Sequence, residues 1–179
     1  MNVQQQQALV KKGYEAWGKN RITNQDHKDI IAMCLKHDFQ YTWQVVSELM
    51  TQTMAGIVRT NAKMLPKVIK NSKGEKFGFY IFYKYLDVKG KGEIKYIFIK
   101  PEHRRKGYAK TIIKKLQSTK FTDIYTDSTN ESYMTLVKNL GFKDIGVCDN
   151  GVETCFHWSK TGESKPLIEH QYDTGKPRP

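Results

Sequence analysis

Apolar side chains recur along this chain with two different periods, and the change of period divides it. Between Asn24 and Lys36 they fall at Ile30, Ile31, Met33, Cys34 and Leu35, which predicts a helix with Asn24 or Asp26 at its start. From Thr42 to about Arg59, Trp43, Val45, Val46, Leu49, Met50 and Met54 keep closer to a 3.6-residue repeat than to alternation, so a second helix follows. A shorter helix is expected where Ala8, Leu9 and Val10 follow Gln4–Gln7. Past residue 66 the repeat shortens. Lys67–Lys70 predicts a short strand, Asn71-Ser72-Lys73-Gly74 a turn, Phe77–Tyr85 a strand dense in aromatic and β-branched residues, Lys89–Gly92 a second turn, and Glu93–Ile99 a third strand. These three form an antiparallel meander.

A helix with one apolar face is expected over Gly107–Leu116, where Tyr108, Ala109, Ile112, Ile113 and Leu116 share a side. A strand over Phe121–Tyr125 follows, then a helix from Asn130 to Leu140 ended by Gly141. Asp149-Asn150-Gly151 predicts a hairpin between strands at Phe142–Cys148 and Val152–Trp158. The fold class is therefore α/β (α+β), with a mixed, mostly antiparallel sheet of about six or seven strands and helices on both faces. Residues 1–20 read as a helical extension and 21–159 as the domain. Residues 160–179, with two glycines and three prolines, read as a mobile tail.

Composition changes this picture in one respect. Of 179 residues, 39 % are hydrophobic and 12 % aromatic, enough for a packed core. Thirty Lys and Arg against 18 Asp and Glu give a formal charge of +12, which calls for an anionic partner. The segment Lys63–Lys120 holds 17 of the basic residues and only four acids (Glu75, Asp87, Glu93, Glu102), so the whole excess sits in the middle third. The three cysteines (Cys34, Cys148, Cys155) are odd in number and lack CxxC spacing, so free thiols are expected, with neither a disulfide framework nor a metal site. The N-terminus does not read as a signal peptide, no apolar run approaches 18 residues, and a cytoplasmic location without membrane association is expected.

The densest chemistry lies in Ile97-Phe98-Ile99-Lys100-Pro101-Glu102-His103-Arg104-Arg105-Lys106-Gly107-Tyr108-Ala109. A strand ends at Pro101, a basic turn follows, and a helix starts at Gly107. The first N–H groups of a helix lack intrahelical partners and carry the positive end of its dipole, so this turn suits a phosphate or pyrophosphate. It contains neither GxxxxGK[ST] nor GxGxxG. A basic loop that merely caps a helix is the plainer alternative.

The run resembles the acyl-CoA signature of the GNAT (N-acetyltransferase) superfamily, [RQ]-x-x-G-x-[GA], through Arg104, Gly107 and Ala109. A later block, Asn130 followed by a helix ending in Leu140-Gly141-Phe142, resembles that family too, as do Val68-Ile69 with Gly78-Phe79. Arg21-Ile22-Thr23 stands where the family has a weak first strand. The resemblance spans about Arg21 to Ser159 and is strongest from Glu93 to Phe142.

It implies roles by position. Main-chain atoms of Phe98, Ile99 and Lys100 would pair with the pantetheine arm, and the amides of Arg105, Lys106, Gly107, Tyr108 and Ala109 would hold the pyrophosphate with Arg104 beside them. Asn130 would contact pantetheine or cap its helix. Glu93, 11 residues before Arg104, stands where many members carry a catalytic carboxylate base; the alternative is an edge-strand Glu paired with a Lys. The family's usual acid position, four residues before the Gly of Leu-Gly-Phe, holds Val137. Tyr133, one turn earlier on the same helix face, is either a substitute acid or a core aromatic. His103, expected to be exposed, and His157 receive no catalytic role.

The function so implied is an acetyl-CoA-dependent N-acetyltransferase in which a primary amine attacks the thioester in a ternary complex. The acceptor, a protein or peptide amine by preference, would bind near residues 25–60 and 145–158. The alternative is a non-catalytic protein of the same fold that binds CoA, nucleic acid or an acidic protein partner.

Overall fold

A computed structural model of the chain describes residues 2–55 and 62–163. Six strands, β1 (Ala62–Lys70), β2 (Lys76–Tyr85), β3 (Lys91–Ile99), β4 (Asp123–Ser128), β5 (Lys143–Val147) and β6 (Thr154–Ser159), form one open sheet in the order β1-β2-β3-β4-β6-β5. The sheet is mostly antiparallel. Its parallel pair is β3 with β4, in register from Lys91↔Asp123 to Ile94↔Thr126. Both β4–β6 and β5–β6 are antiparallel. By contact the chain divides into two compact units, and β1, β2 and β3 each contribute residues to both.

Of the described residues, the first unit takes 2–55, 66–80 and 98–103. Its helices are α1 (Val3–Gly13), extended by a π-helical turn at Tyr14–Gly18, then α2 (Lys19–Arg21), α3 (Gln25–Lys36) and α4 (Thr42–Ala55). Asn2 caps α1 by accepting from the Gln5 N–H at 2.9 Å, while the Gln5 side chain accepts from the Asn2 N–H at 3.0 Å, a capping box. Asn24, rather than Asp26, caps α3. Ile30, Ile31, Cys34, Val45, Val46 and Leu49 are fully buried between α3 and α4. Thr42 starts α4 by donating its hydroxyl to the Phe39 carbonyl at 2.6 Å, which holds Phe39 against Phe79 and Phe98 at ring separations of 5.5 and 5.4 Å.

Of the described residues, the second unit takes 62–65, 81–97 and 104–163. It contains α5 (Tyr108–Gln117) and α6 (Glu131–Asn139) together with β4, β5 and β6. Its apolar core comprises Ile81, Phe82, Ile94, Ile113, Ile124, Val137, Phe142 and Phe156. Phe82 packs edge-on against Phe121 at 4.7 Å, in a space that Gly92 leaves open.

Several expectations need correction. Cys148 and Cys155 are joined in a disulfide, and only Cys34 is a free, buried thiol. The β5–β6 register, shifted between Asp144 and Gly146, places Gly146 opposite Cys155 and brings the two cysteine Cα atoms to 5.4 Å, within bridging range. The intervening turn is wider than a two-residue hairpin, because the Asn150 side chain accepts from both the Val152 and Glu153 N–H groups. Arg21-Ile22-Thr23 is not a strand. Ile22 N–H still bonds to the Gly18 carbonyl at 2.7 Å, and only three residues separate α2 from α3. β1 starts five residues earlier than expected and passes through Pro66, while β4 runs later, to Ser128. Of the expected tail, residues 164–179 lie outside the described residues, as do 56–59 of the expected second helix. No helix among the described residues is long and apolar enough to cross a membrane.

Two glycines make the packing testable. A Cβ on Gly78 would collide with the Phe98 carbonyl oxygen, a backbone atom that cannot move aside, whereas one on Gly13, at the helical φ of −61°, meets nothing within 4 Å. Chemical denaturation should show Gly78→Ala losing about 1–3 kcal/mol and Gly13→Ala gaining roughly 0.5–1 kcal/mol.

Candidate active site

The basic turn opens α5 in the second unit. Gly107 is the N-cap residue at φ 81°, in the left-handed region, and no side chain caps the helix. α1, α3 and α6 each carry an asparagine cap. The first turn of α5 contains no acid, Arg104, Arg105 and Lys106 are exposed, and a Cβ at Gly107 would meet nothing within 4 Å. Arg105 also has a positive φ, 59°, which costs a non-glycine residue on the order of 1 kcal/mol. An approachable helix start with positive flanks and no acid in its first turn fits a pyrophosphate. The side chains of Tyr108 and Ala109 are half-buried at the start of the apolar face of α5.

Phe98, Ile99 and Lys100 belong to the first unit. The Lys100 N–H donates to the Phe77 carbonyl at 2.8 Å, so that amide is committed to β2 and drops out of the expected pantetheine-pairing set. The Phe98 ring is 5 % exposed within the aromatic cluster, which leaves its main chain as the relevant part.

The register between β3 and β4 ends at Ile94↔Thr126, although β3 runs on to Ile99. Two groups flank this end from opposite faces of the sheet, because successive strand residues alternate. On one face the Thr126 hydroxyl donates to the Ile94 carbonyl at 3.0 Å and lies 2.9 Å from the Tyr133 hydroxyl on α6. Burial pushes the Tyr133 pKa well above the usual phenol range. Asn130 caps α6, accepting from the Tyr133 N–H at 2.9 Å, so of its two expected roles the capping one is present. Val137, at the family's usual acid position, is fully buried core.

Glu93 lies on the other face, opposite Tyr125, with 1 % exposure. Its Oε2 accepts from the Tyr85 hydroxyl at 2.8 Å, and the Lys95 ammonium is 3.5 Å from its Oε1. Lys95 also reaches Asp127 Oδ2 at 3.4 Å. Burial pushes the Asp127 carboxyl up to about 6; the Lys95 charge opposes this, and the Glu93 and Glu153 charges add to it. Asp127, Lys95 and Tyr85 were not singled out from the sequence. Their signal was the alternation Lys91, Glu93, Lys95 against Asp123, Tyr125, Asp127, legible only once the two strands are known to pair in parallel.

His103 differs from expectation. It stacks on Phe77 at 4.8 Å, and its Nε2 lies 3.4 Å from Glu75. His157 is buried, 2.9 Å from Asp123 and stacked on Tyr125 at 4.6 Å.

Residues 30–142 match the model of the Acetyltransferase (GNAT) family. Among solved structures, spermidine N-acetyltransferase from Vibrio cholerae, in complex with CoA and spermine, is 16 % identical with a TM-score of 0.53, covering 67 % of this chain and 76 % of that one. A GNAT-family protein from Desulfovibrio desulfuricans is 10 % identical with a TM-score of 0.57, over 77 % of this chain and 94 % of that one. At these identities the likeness is one of fold. A search of curated proteins finds no match.

Asp127 gives the site a stability signature. A carboxyl raised from 3.8 to about 6 by folding contributes stability that is fully present below pH 3.8 and lost as pH rises through 6. In denaturation experiments Asp127→Asn should therefore gain stability relative to the wild type as pH rises from below 3.8 to above 6.

Proposed function

The chain belongs to the acetyltransferase (GNAT) family, and on that premise we propose that it moves the acetyl group of acetyl-CoA to a primary amine by direct attack, with Glu93 as the proton acceptor. The observation that carries this reading is the buried Glu93 carboxylate at the last pairs of the β3–β4 register, in the same unit as the uncapped, positively flanked start of α5.

Acetyl-CoA would supply an activated acyl group and a thiolate that leaves readily. The amides of Arg105 through Ala109, with the Arg104, Arg105 and Lys106 charges, hold its pyrophosphate. Glu93 takes a proton from the acceptor ammonium, which frees the nitrogen lone pair. Tyr85 and Lys95 hold the carboxylate in a fixed orientation for that transfer. Tyr133 stays protonated, as a proton donor must, but the burial that raises its pKa also makes the proton harder to give up. Its part in expelling the thiolate is the smaller one. The acceptor remains an amine, with protein or peptide amines and polyamines such as spermidine as the classes to compare.

The test is thiol release from acetyl-CoA over an amine panel holding spermidine and lysine-bearing peptides. Glu93→Gln should lower kcat by about 10²–10⁴-fold with acetyl-CoA binding retained, and Tyr133→Phe should lower it far less. Loss of acetyl-CoA binding in the wild type at moderate salt, alongside salt-sensitive nucleic-acid binding, would favour the non-catalytic alternative instead.

A further inference from the structure

The side-chain arrangement around Glu93 holds a second carboxylate, which the family resemblance does not assign. Both oxygens of Glu93 are engaged, one by the Tyr85 hydroxyl and the other by Lys95. Lys95 stands between Glu93 and Asp127, 3.5 Å from one and 3.4 Å from the other. The side chain of Asp127 is 12 % exposed against 1 % for Glu93, so Asp127 is the more approachable of the two. It lies one residue beyond Thr126, where the β3–β4 register ends.

The charged and titratable surroundings come from four elements. β2 contributes Tyr85, and β3 contributes Lys95 and Lys91, whose ammonium lies 4.9 Å from the Tyr85 ring and 4.6 Å from the Tyr125 ring. β4 contributes Tyr125, Asp127 and, further along, Asp123 with its partner His157 from β6. Glu153, in the turn closed by the Cys148–Cys155 disulfide, is near enough for its charge to act on Asp127.

We propose that Glu93 and Asp127 form one coupled carboxylate pair bridged by Lys95, and that this pair, rather than Glu93 alone, takes the proton from the acceptor ammonium. The proposal rests on the acetyl-transfer reading above. Two carboxylates sharing one cation carry a formal charge of −1 when all three are ionised, so the first proton to arrive relieves repulsion between them wherever it lands. Asp127 is the outer acceptor and Glu93 the inner one. In the transfer, an acceptor N–H bond breaks and its proton goes to a carboxylate oxygen of the pair. The nitrogen lone pair then forms the C–N bond as the thioester C–S bond breaks. Sulfur leaves with the bonding electrons and takes up the second nitrogen proton, and the pair returns its proton to solvent.

The experiment follows the Glu and Asp side-chain carboxyl carbons by ¹³C NMR in the full-length, ligand-free protein, with Glu93→Gln and Asp127→Asn to assign the two signals. Coupling predicts that Asp127→Asn lowers the Glu93 midpoint by about one pH unit, that Lys95→Met raises both midpoints, and that Lys95→Arg restores them. The acid limb of kcat/KM for thiol release should move in the same direction as the Glu93 midpoint in Asp127→Asn. Glu93→Gln with Asp127→Asn should be slower than Glu93→Gln alone. A Glu93 midpoint identical in the wild type and Asp127→Asn overturns the proposal, and because Asp127→Asn is isosteric this result does not depend on Lys95→Met folding. Coupled titration in a protein that releases no thiol with any amine overturns the acetyl-transfer reading and the proton-transfer role built on it. Thiol release with uncoupled titration overturns the pair alone.

Discussion

Four residues of parallel pairing, Lys91–Ile94 against Asp123–Thr126, set the chemistry of the second unit. Strand side chains alternate, so a slip of one residue would exchange the two faces completely. In the observed register Ile94, Ile124, Thr126 and Phe156 share the face that meets Tyr133, while Lys91, Glu93, Asp123, Tyr125 and His157 share the other. A shift would set Glu93 among apolar neighbours and deprive it of Tyr85. The antiparallel partner of β4 fixes the same register from the other side, because β6 pairs with all six residues of β4, from Asp123↔Ser159 to Ser128↔Thr154. The apolar face supplies the burial that holds this arrangement in place.

Much of this was legible because local signals and tertiary demand agreed. The aromatic run Phe77–Tyr85, the apolar face of α5 and the caps at Asn24 and Asn130 depend on neighbours within a few residues, and all lie close to where the pattern put them. The failures share a cause. Thr126-Asp127-Ser128 is a polar run that reads as a loop, yet it is strand because β6 pairs with it. Lys63, Pro66 and Lys67 interrupt the apolar pattern of β1, yet Ala62 and Met64 are buried, and the strand extends back to them. The disulfide depends on a shift within the β5–β6 register, which no spacing of cysteines encodes. Asp127 escaped notice for the same reason. A carboxylate becomes part of a site through its partner across the sheet, and that partner is 32 residues away in sequence.

The positive charge of the middle third divides into two physically different populations. Some of it is paired within the fold: Lys91 is 2 % exposed over two tyrosine rings, the half-buried Lys95 bridges two carboxylates, and Lys76 meets Asp29 at 2.6 Å. These cations offset buried or half-buried groups. The remainder includes Arg104, Arg105, Lys106, Lys110, Lys114 and Lys115, all exposed on or beside α5. A formal excess that suggests a polyanion surface therefore overstates what a partner would meet. The part that faces solvent at the start of α5 is concentrated where the helix dipole has the same sign.

The buried polar face of β3, β4 and β6 runs against the pattern of the rest of the fold. Taking Lys91, Glu93, Asp123 and His157 out of water costs free energy that hydrogen bonds and ring contacts repay only in part, and apolar residues of similar volume would pack there at lower cost. The opposite face of the same strands shows that the fold can do so, since Ile94, Ile124 and Phe156 are each at most 1 % exposed. Stability alone thus gives no reason for the polar face. Its members are also joined in an ordered way, Tyr85 to Glu93 to Lys95 to Asp127 along one line and Tyr125 to His157 to Asp123 along another. Such networks hold each carboxylate in a fixed orientation and bind its proton affinity to that of its neighbour. A sequence that accepts this cost in the interior, beside the end of its parallel register, places linked titratable groups where water is scarce.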